Sequence, residues 1–154
     1  MVATHQFSES NGVAETVTDG IVNVNFGNTD APNIVVASFP IRAGNNSFSK
    51  YIRSKFTGTF NTISVMKFWR SDGAAMPTGI AITAGANPAY ATPSTADDGD
   101  AAEPTSEGTA LSIGPTTITT PSYSNYIRLQ METTVAASPG NTPTFTHTYQ
   151  YDES

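Results

Sequence analysis

The sequence predicts an all-β protein: a single antiparallel β-sandwich or jelly-roll-like domain of about eight strands, with an extended N-terminal arm. Three observations carry that expectation. Apolar residues recur with a period of two in several separate stretches and nowhere with the 3.6-residue period of a helix. Ser and Thr together number 38 and Gly and Pro add 22 more, which suits half-buried strands joined by frequent turns. The chain is 154 residues long with no internal repeat, a length that fits one domain with one core.

The stretch from Phe48 to Arg70 organises the rest. Ile52, Phe56 and Phe60 share one parity, and Arg53, Lys55, Thr57 and Thr59 the other, so one set faces a core and the other faces away. Asn61-Thr62 interrupts, and Ile63 to Arg70 resumes. The pattern predicts a hairpin of two long strands.

Before it, residues 1–19 are polar without a clear period and read as an arm or a short edge strand, with turns at Gly12 and Asp19-Gly20. Ile21–Phe26 reads as a strand with Val22, Val24 and Phe26 on one side. Asn33–Ile41 reads as a second, more buried strand, weakened at its end by Pro40. The domain proper is then 20–154. After the hairpin, Thr78–Ala84 reads as a short strand. Residues 85–108 read as a long loop, of a length that usually binds something or lacks order. Thr109–Ile113 and Thr117–Thr119 resume strand character on either side of Gly114-Pro115. Tyr126–Glu132 alternates strictly, with Ile127, Leu129, Met131, Thr133 and Val135 inward and Tyr126, Arg128, Gln130 and Glu132 outward. Ser138–Asn141 is a turn. Thr144–Tyr151 is the last strand, with Phe145, His147, Tyr149 and Tyr151 on one face.

Composition excludes several functions. The chain has no Cys, hence no disulfide, thiol catalysis or thiolate metal site. The start, MVATHQFSESNG, has neither a basic nor an apolar signal region. The longest aliphatic run is Ile34–Ala37, far short of the ~20 residues a membrane helix needs; no membrane partner is expected. A net charge of −6 disfavours nucleic-acid binding, which needs a basic surface. That charge is uneven: residues 42–70 hold six of the seven Lys and Arg and no acid. Either the fold neutralises this basic region within one subunit, or acidic and basic regions meet between copies in a repeating assembly.

No catalytic constellation is legible. His5 and His147 are far apart, and no nucleophile elbow, zinc-protease, P-loop or dinucleotide fingerprint occurs. No enzyme activity and no cofactor are expected. The acidic run Asp97-Asp98-Gly99-Asp100, with Glu103 and Glu107, has the oxygen chemistry of a Ca²⁺ loop, but its spacing fits no EF-hand. Asp97, Asp98 and Asp100 are therefore weak metal candidates, and a solvated acidic loop is the favoured reading. Trp69, Tyr90, Tyr123, Tyr126, Tyr149 and Tyr151 are the candidate sugar-stacking residues, with Tyr126 and Tyr90 expected to be exposed and Trp69 and Tyr149 packed. The interface candidates are Arg53, Lys55, Lys67, Arg70, Tyr126, Arg128, His147, Tyr149 and Tyr151.

Two stretches, KYIRSKFTGTFNTISVMKFWRSDG and SNYIRLQMETTVAASPGNTPTFTHTYQYDES, together about a third of the chain, resemble small β-rich virion proteins of tailed bacteriophages. The resemblance implies a capsid decoration or cement role. Such a protein, assembled in the host cytoplasm, docks outside a phage shell as a homotrimer, with the major capsid protein and copies of itself as partners. It brings no catalytic residues. A tail, neck or fibre component is the alternative within the same biology, and a carbohydrate-binding module with a glycan on exposed aromatics is the alternative outside it. The arm, the basic hairpin and the terminal strand are the expected contact elements.

Overall fold

The computed structural model describes residues 2–140 and 143–154. Met1 of the expected arm and Asn141 of the expected turn lie outside the described residues. The fold is all-β, with two antiparallel sheets packed as a sandwich, not closed into a barrel. Among the described residues the only helical pieces are two 3-10 turns, Val36–Ser38 and Glu107–Thr109.

The larger sheet is built from β1 (Ala3–Asn11), β2 (Thr16–Asp19), β3 (Lys50–Gly58), β5 (Ile80–Asn87) and β9 (Tyr126–Thr133), in the order β2-β1-β3-β9-β5, with β8 (Ser122–Tyr123) also pairing with β3. The smaller sheet has β4 (Ile63–Arg70) between β10 (His147–Glu153) and β6 (Leu111–Ser112), with β7 (Thr117–Ile118) also on β4. One core cluster joins them: Ile52, Phe56, Ile127 and Leu129 from the larger sheet meet Ile63, Met66 and Phe68 from the smaller. Ile52, Phe56, Ile127 and Leu129 are residues whose alternation marked a buried face, as period-two patterning requires.

The N-terminal segment is not an arm. β1 pairs along its length with β3, from Ala3–Gly58 to Ser10–Tyr51, and β2 folds back on it. Its polar sequence misleads because Ser8, Ser10, Glu9 and Asn11 are buried by hydrogen bonds and an ion pair, not by apolar packing. β3 and β4 do not form the expected hairpin. The chain turns a corner at Thr59–Thr62 and changes sheet, so the two strands face one another across the core. A hairpin and a corner leave the same alternation in sequence, and both β3 and β4 present their apolar faces to one core.

The expected strands at Ile21–Phe26 and Asn33–Ile41 are absent. This segment makes no ladder and is broken by a turn at Pro32-Asn33 and by the 3-10 turn Val36–Ser38. It is tied by isolated bonds, Asn25 Nδ2 to the Ile34 carbonyl at 3.0 Å and Phe48 N–H to the Gly27 carbonyl at 3.0 Å. Apolar residues spaced by two do not by themselves supply a neighbouring strand to bond, which is why the pattern misreads. Val22 is 85% exposed. β5 runs on to Asn87, so the irregular loop is shorter than expected, and the chain at Ala101–Glu103 bonds back along β5. β9 ends at Thr133, and Val135, expected inward, is exposed.

β4 contains a bulge. Between Lys67–Gln150 and Ser64–Asp152 it holds one more residue than β10, and Val65 takes φ 50°. The extra residue lets Ile63 and the Met66–Phe68 pair all face inward although they differ in parity.

Candidate functional site

The sequence candidates do not converge on one surface. Arg53, Lys55, Tyr126 and Arg128 lie on the outer face of the larger sheet, Lys67 on the outer side of β4, and Arg70 with His147 beside Glu103. Tyr149 and Tyr151 point inward from β10, where His5 stacks on Tyr149 at 5.5 Å and Phe56 meets Tyr151 edge-on at 5.0 Å. Burial lowers the pKa of His5 and raises that of Tyr149.

The basic region is neutralised inside the subunit. Lys50 pairs with Glu9, Arg53 with Glu15, Lys55 with Asp19, Lys67 with Glu107 and Arg70 with Glu103. All five of these acids lie outside the basic stretch 42–70, and the β1–β2 hairpin supplies three. His147 Nε2 lies 2.7 Å from the second oxygen of Glu103, and Phe68 stacks on its ring at 5.1 Å. The surviving question is what the outer face of the larger sheet can do.

One half of that face is aromatic. Tyr51, Tyr90 and Tyr126 pack with centroids 5.1 to 6.0 Å apart. Tyr126, expected to be exposed, is 5% exposed and donates to Glu15. Tyr90 is half-buried and donates to the Gly12 carbonyl at 2.6 Å; burial, then the charges of Asp30 and Glu15, push its phenol up to about 12. The Arg53 guanidinium lies 4.0 Å from the Tyr123 ring centroid and 4.6 Å from that of Tyr126, a cation held between two π faces. Beside it Asp19 accepts from Lys55, from Ser8 Oγ at 2.6 Å and from Tyr123 at 3.1 Å.

Those partners, Lys55 first and then Ser8, hold the Asp19 carboxyl below its usual value of 3.8. A depressed native pKa stabilises the fold above the unfolded value, and that contribution is lost as pH falls through the native one. An NMR titration of the Asp19 carboxyl is therefore expected to show a midpoint below 3.8, moving back toward it in Lys55→Ala. An unchanged midpoint in the variant would mean that the pair is open to solvent.

The other half of the face is acidic and covered by chain from the 88–106 loop. Gln130, fully buried, holds that loop on β9. Its Nε2 donates to the carbonyls of Ser47 and Ala96 at 2.9 Å each, and its Oε1 accepts from Asp98 N–H at 3.2 Å. Arg128 Nε donates to Asp100 Oδ2 at 2.8 Å and its Nη2 to the Asp98 carbonyl at 2.8 Å. A Cβ on Gly85 would sit 2.2 Å from the Asp100 carboxylate, so glycine alone admits this pair. Asp100 is thus an ion-pair partner. Asp98 Oδ2 lies 3.5 Å from the same guanidinium, and Asp97 and Asp98 also approach Glu132, with one oxygen from each of the three within 4.8 Å of the others. Asp97 and Glu132 line a surface cleft of about 290 Å³ with Asn46, Thr133 and Thr134. The sequence grouped the three aspartates by adjacency. Glu132 was visible only as an outward strand acid, with nothing to show that the loop would fold over it.

The chain matches no protein-family model, no curated protein and no solved structure. No helix of the described residues is long and apolar enough to cross a membrane.

Proposed function

We propose that this chain is a virion structural protein, and specifically a capsid decoration protein that docks in many copies on the outside of a phage shell. The two stretches that resemble phage virion proteins contain β3, β4, β9 and β10, the strands that frame the core. The observation that carries the reading is what the surface offers. Among the described residues no Tyr or Trp is fully exposed, and every basic side chain except Arg42 has a carboxylate partner within the chain. What remains outward is polar and apolar, with Phe39 the one aromatic among the exposed large hydrophobics. Val35, Val36 and Phe39 are exposed on and beside one 3-10 turn in the strandless segment between β2 and β3, with Val35 at 66%. Clustered exposed apolar side chains suit contact with another protein surface. Many weak contacts acting together give durable attachment to a shell. Sugar stacking, by contrast, needs exposed aromatic faces, and the tyrosines here pack on one another, on His5 and Phe56, or, at Tyr123, on Arg53.

In this reading the contact surface moves from the N-terminal segment, the basic strands and β10 to the 21–47 segment, and the chain performs no catalysis. The test is molar mass in solution across protein concentration. A homotrimer, three times the 16.2 kDa chain, is expected, and Val35→Asp with Phe39→Ser is expected to return it to monomer without loss of fold. A monomer at every concentration that binds glycans on an array would count against the reading and for a carbohydrate-binding module.

A further inference from the structure

We propose that Lys50 and Asn11 condense into an isopeptide bond, a covalent link between β3 and β1 that the chain makes on itself with Glu9 as the proton carrier. The inference does not depend on the decoration reading, and the reaction is a single turnover on no outside substrate. Asn11 is the last residue of β1 and Lys50 the first of β3. Their ladder runs to Ser10–Tyr51, and the next pair in that register sets Asn11 opposite Lys50, where cross-strand side chains meet. Glu9, two residues back along β1, shares their face. Lys50 and Glu9 are 0% exposed and Asn11 is 6% exposed. The Lys50 ammonium and the Asn11 amide nitrogen both donate to one atom, Glu9 Oε1, at 2.9 Å each. The Ala31 carbonyl and Asp30 also hold these two nitrogens, at 2.8 and 2.7 Å. An amine, a carboxamide and a carboxyl group thus converge out of reach of bulk water.

Two buried atoms of this cluster have no partner, Glu9 Oε2 and Asn11 Oδ1. They are the atoms that a carboxylic acid and a carboxamide use for their second bond when they pair face to face, the acid O–H donating to the amide oxygen. A proton on Glu9 Oε2 would satisfy both, and the ammonium beside it is the source. Its transfer turns an ion pair into two neutral groups, which a dry site favours over charges. It also frees the lone pair that makes the amine a nucleophile. Lys50 Nζ then attacks Asn11 Cγ, and the proton on Glu9 stabilises the oxygen of the tetrahedral intermediate. The Nζ–Cγ bond forms, the Cγ–Nδ2 bond breaks, and ammonia leaves. Of the three ammonium protons, one stays on the new amide, one departs with the ammonia and one remains on Glu9. No oxidant or other reactant is needed. Groups already held together react as one molecule, which removes much of the barrier to an otherwise slow exchange of amides. The ion pair described above is the unlinked state; in the linked state an amide takes its place.

The test is mass spectrometry of the full chain after incubation at neutral pH, intact and after trypsin. The chain is expected to be lighter by one ammonia than its sequence. Trypsin is expected to spare the bond after Lys50 and to release residues 1–42 and 43–53 as one branched peptide joined through Asn11 and Lys50. Asn11→Ala, which keeps the Lys50–Glu9 pair, is expected to retain its full mass and to be cut after Lys50. Glu9→Gln keeps both reacting groups and is expected to slow the loss of ammonia at least ~10-fold. The wild-type branched peptide is read without any variant, so a variant that fails to fold leaves the test intact. A wild type of full mass that is cut after Lys50 overturns the proposal. So does ammonia lost without a branched peptide, because closure of Asn11 onto the Gly12 nitrogen releases the same molecule. A Glu9→Gln chain, folded by circular dichroism, that links as fast as the wild type overturns it as well.

Discussion

Lys50→Ala is expected to destabilise the protein by about 3–5 kcal/mol, the cost of leaving one member of a buried ion pair alone. Lys50 has the parity of Ile52 and Phe56 and so points into the sandwich, where it and Glu9 are both 0% exposed and 2.9 Å apart. Its ammonium also donates to the Ala31 carbonyl at 2.8 Å, and Asn11 Nδ2 donates to the same Glu9 oxygen and to Asp30. The pair therefore closes one end of the core and ties the strandless segment to β1 and β3. Removing the ammonium strands a carboxylate whose second oxygen already lacks a donor. Since a domain has only about 5–15 kcal/mol in total, the variant should populate unfolded chain near physiological temperature. The double variant Glu9→Gln/Lys50→Met removes both charges at similar volume and is expected to recover most of the loss. Denaturant unfolding of the three proteins decides the matter. A single-variant cost under about 1 kcal/mol would place the pair among solvent-screened contacts.

Gln130→Leu is expected to cost about 3 kcal/mol, because it keeps the volume and deletes bonds to two carbonyls and one N–H, each worth roughly 1 kcal/mol or more when buried. The effect should be local as well as global. With Gln130 gone, the Ser47 and Ala96 carbonyls and the Asp98 N–H lose their partner, and between its backbone bonds at Ser94 and Ala101 the loop is held by Arg128. Hydrogen exchange at the Asp98 amide should accelerate by at least ~10-fold relative to amides in the middle of β9. Equal acceleration everywhere would show that Gln130 supports the core and not the loop.

The reach and limit of the sequence follow from these two residues. The core strands β3, β4, β9 and β10 were legible because their apolar side chains alternate, and Ile52, Phe56, Ile127 and Leu129 face the core as the pattern required. Lys50 and Gln130 were not. A basic residue at an inward position is counted with the surface charge unless its partner is known, and Glu9 lies forty-one positions away. Gln130 sits on the outward parity of β9, which reads as solvent-facing; only the loop that folds over it makes it buried. The β1 strand failed for the same reason, since its burial rests on polar contacts. Of the two readings of the charge asymmetry, neutralisation within one subunit is the one the ion pairs bear out. Of the acidic loop, residue type was visible and the grouping was not: Asp100 goes to Arg128, and Glu132 joins from the strand.

The position of β3 bears on the order in which the chain can fold. It pairs with β1 on one edge and with β9 and β8 on the other, while β4 waits for β10. On a ribosome β1 and β3 can meet once Gly58 has emerged, but the second edge of β3 stays open until Tyr126–Thr133 is made, and that of β4 until His147–Glu153. Ladders this distant in sequence place the domain among slow folders, on the scale of milliseconds to seconds. Until β9 and β10 have emerged, the nascent chain carries unpaired edges able to pair with another copy. Cells making it in quantity would meet its aggregation hazard during translation, before any native surface exists.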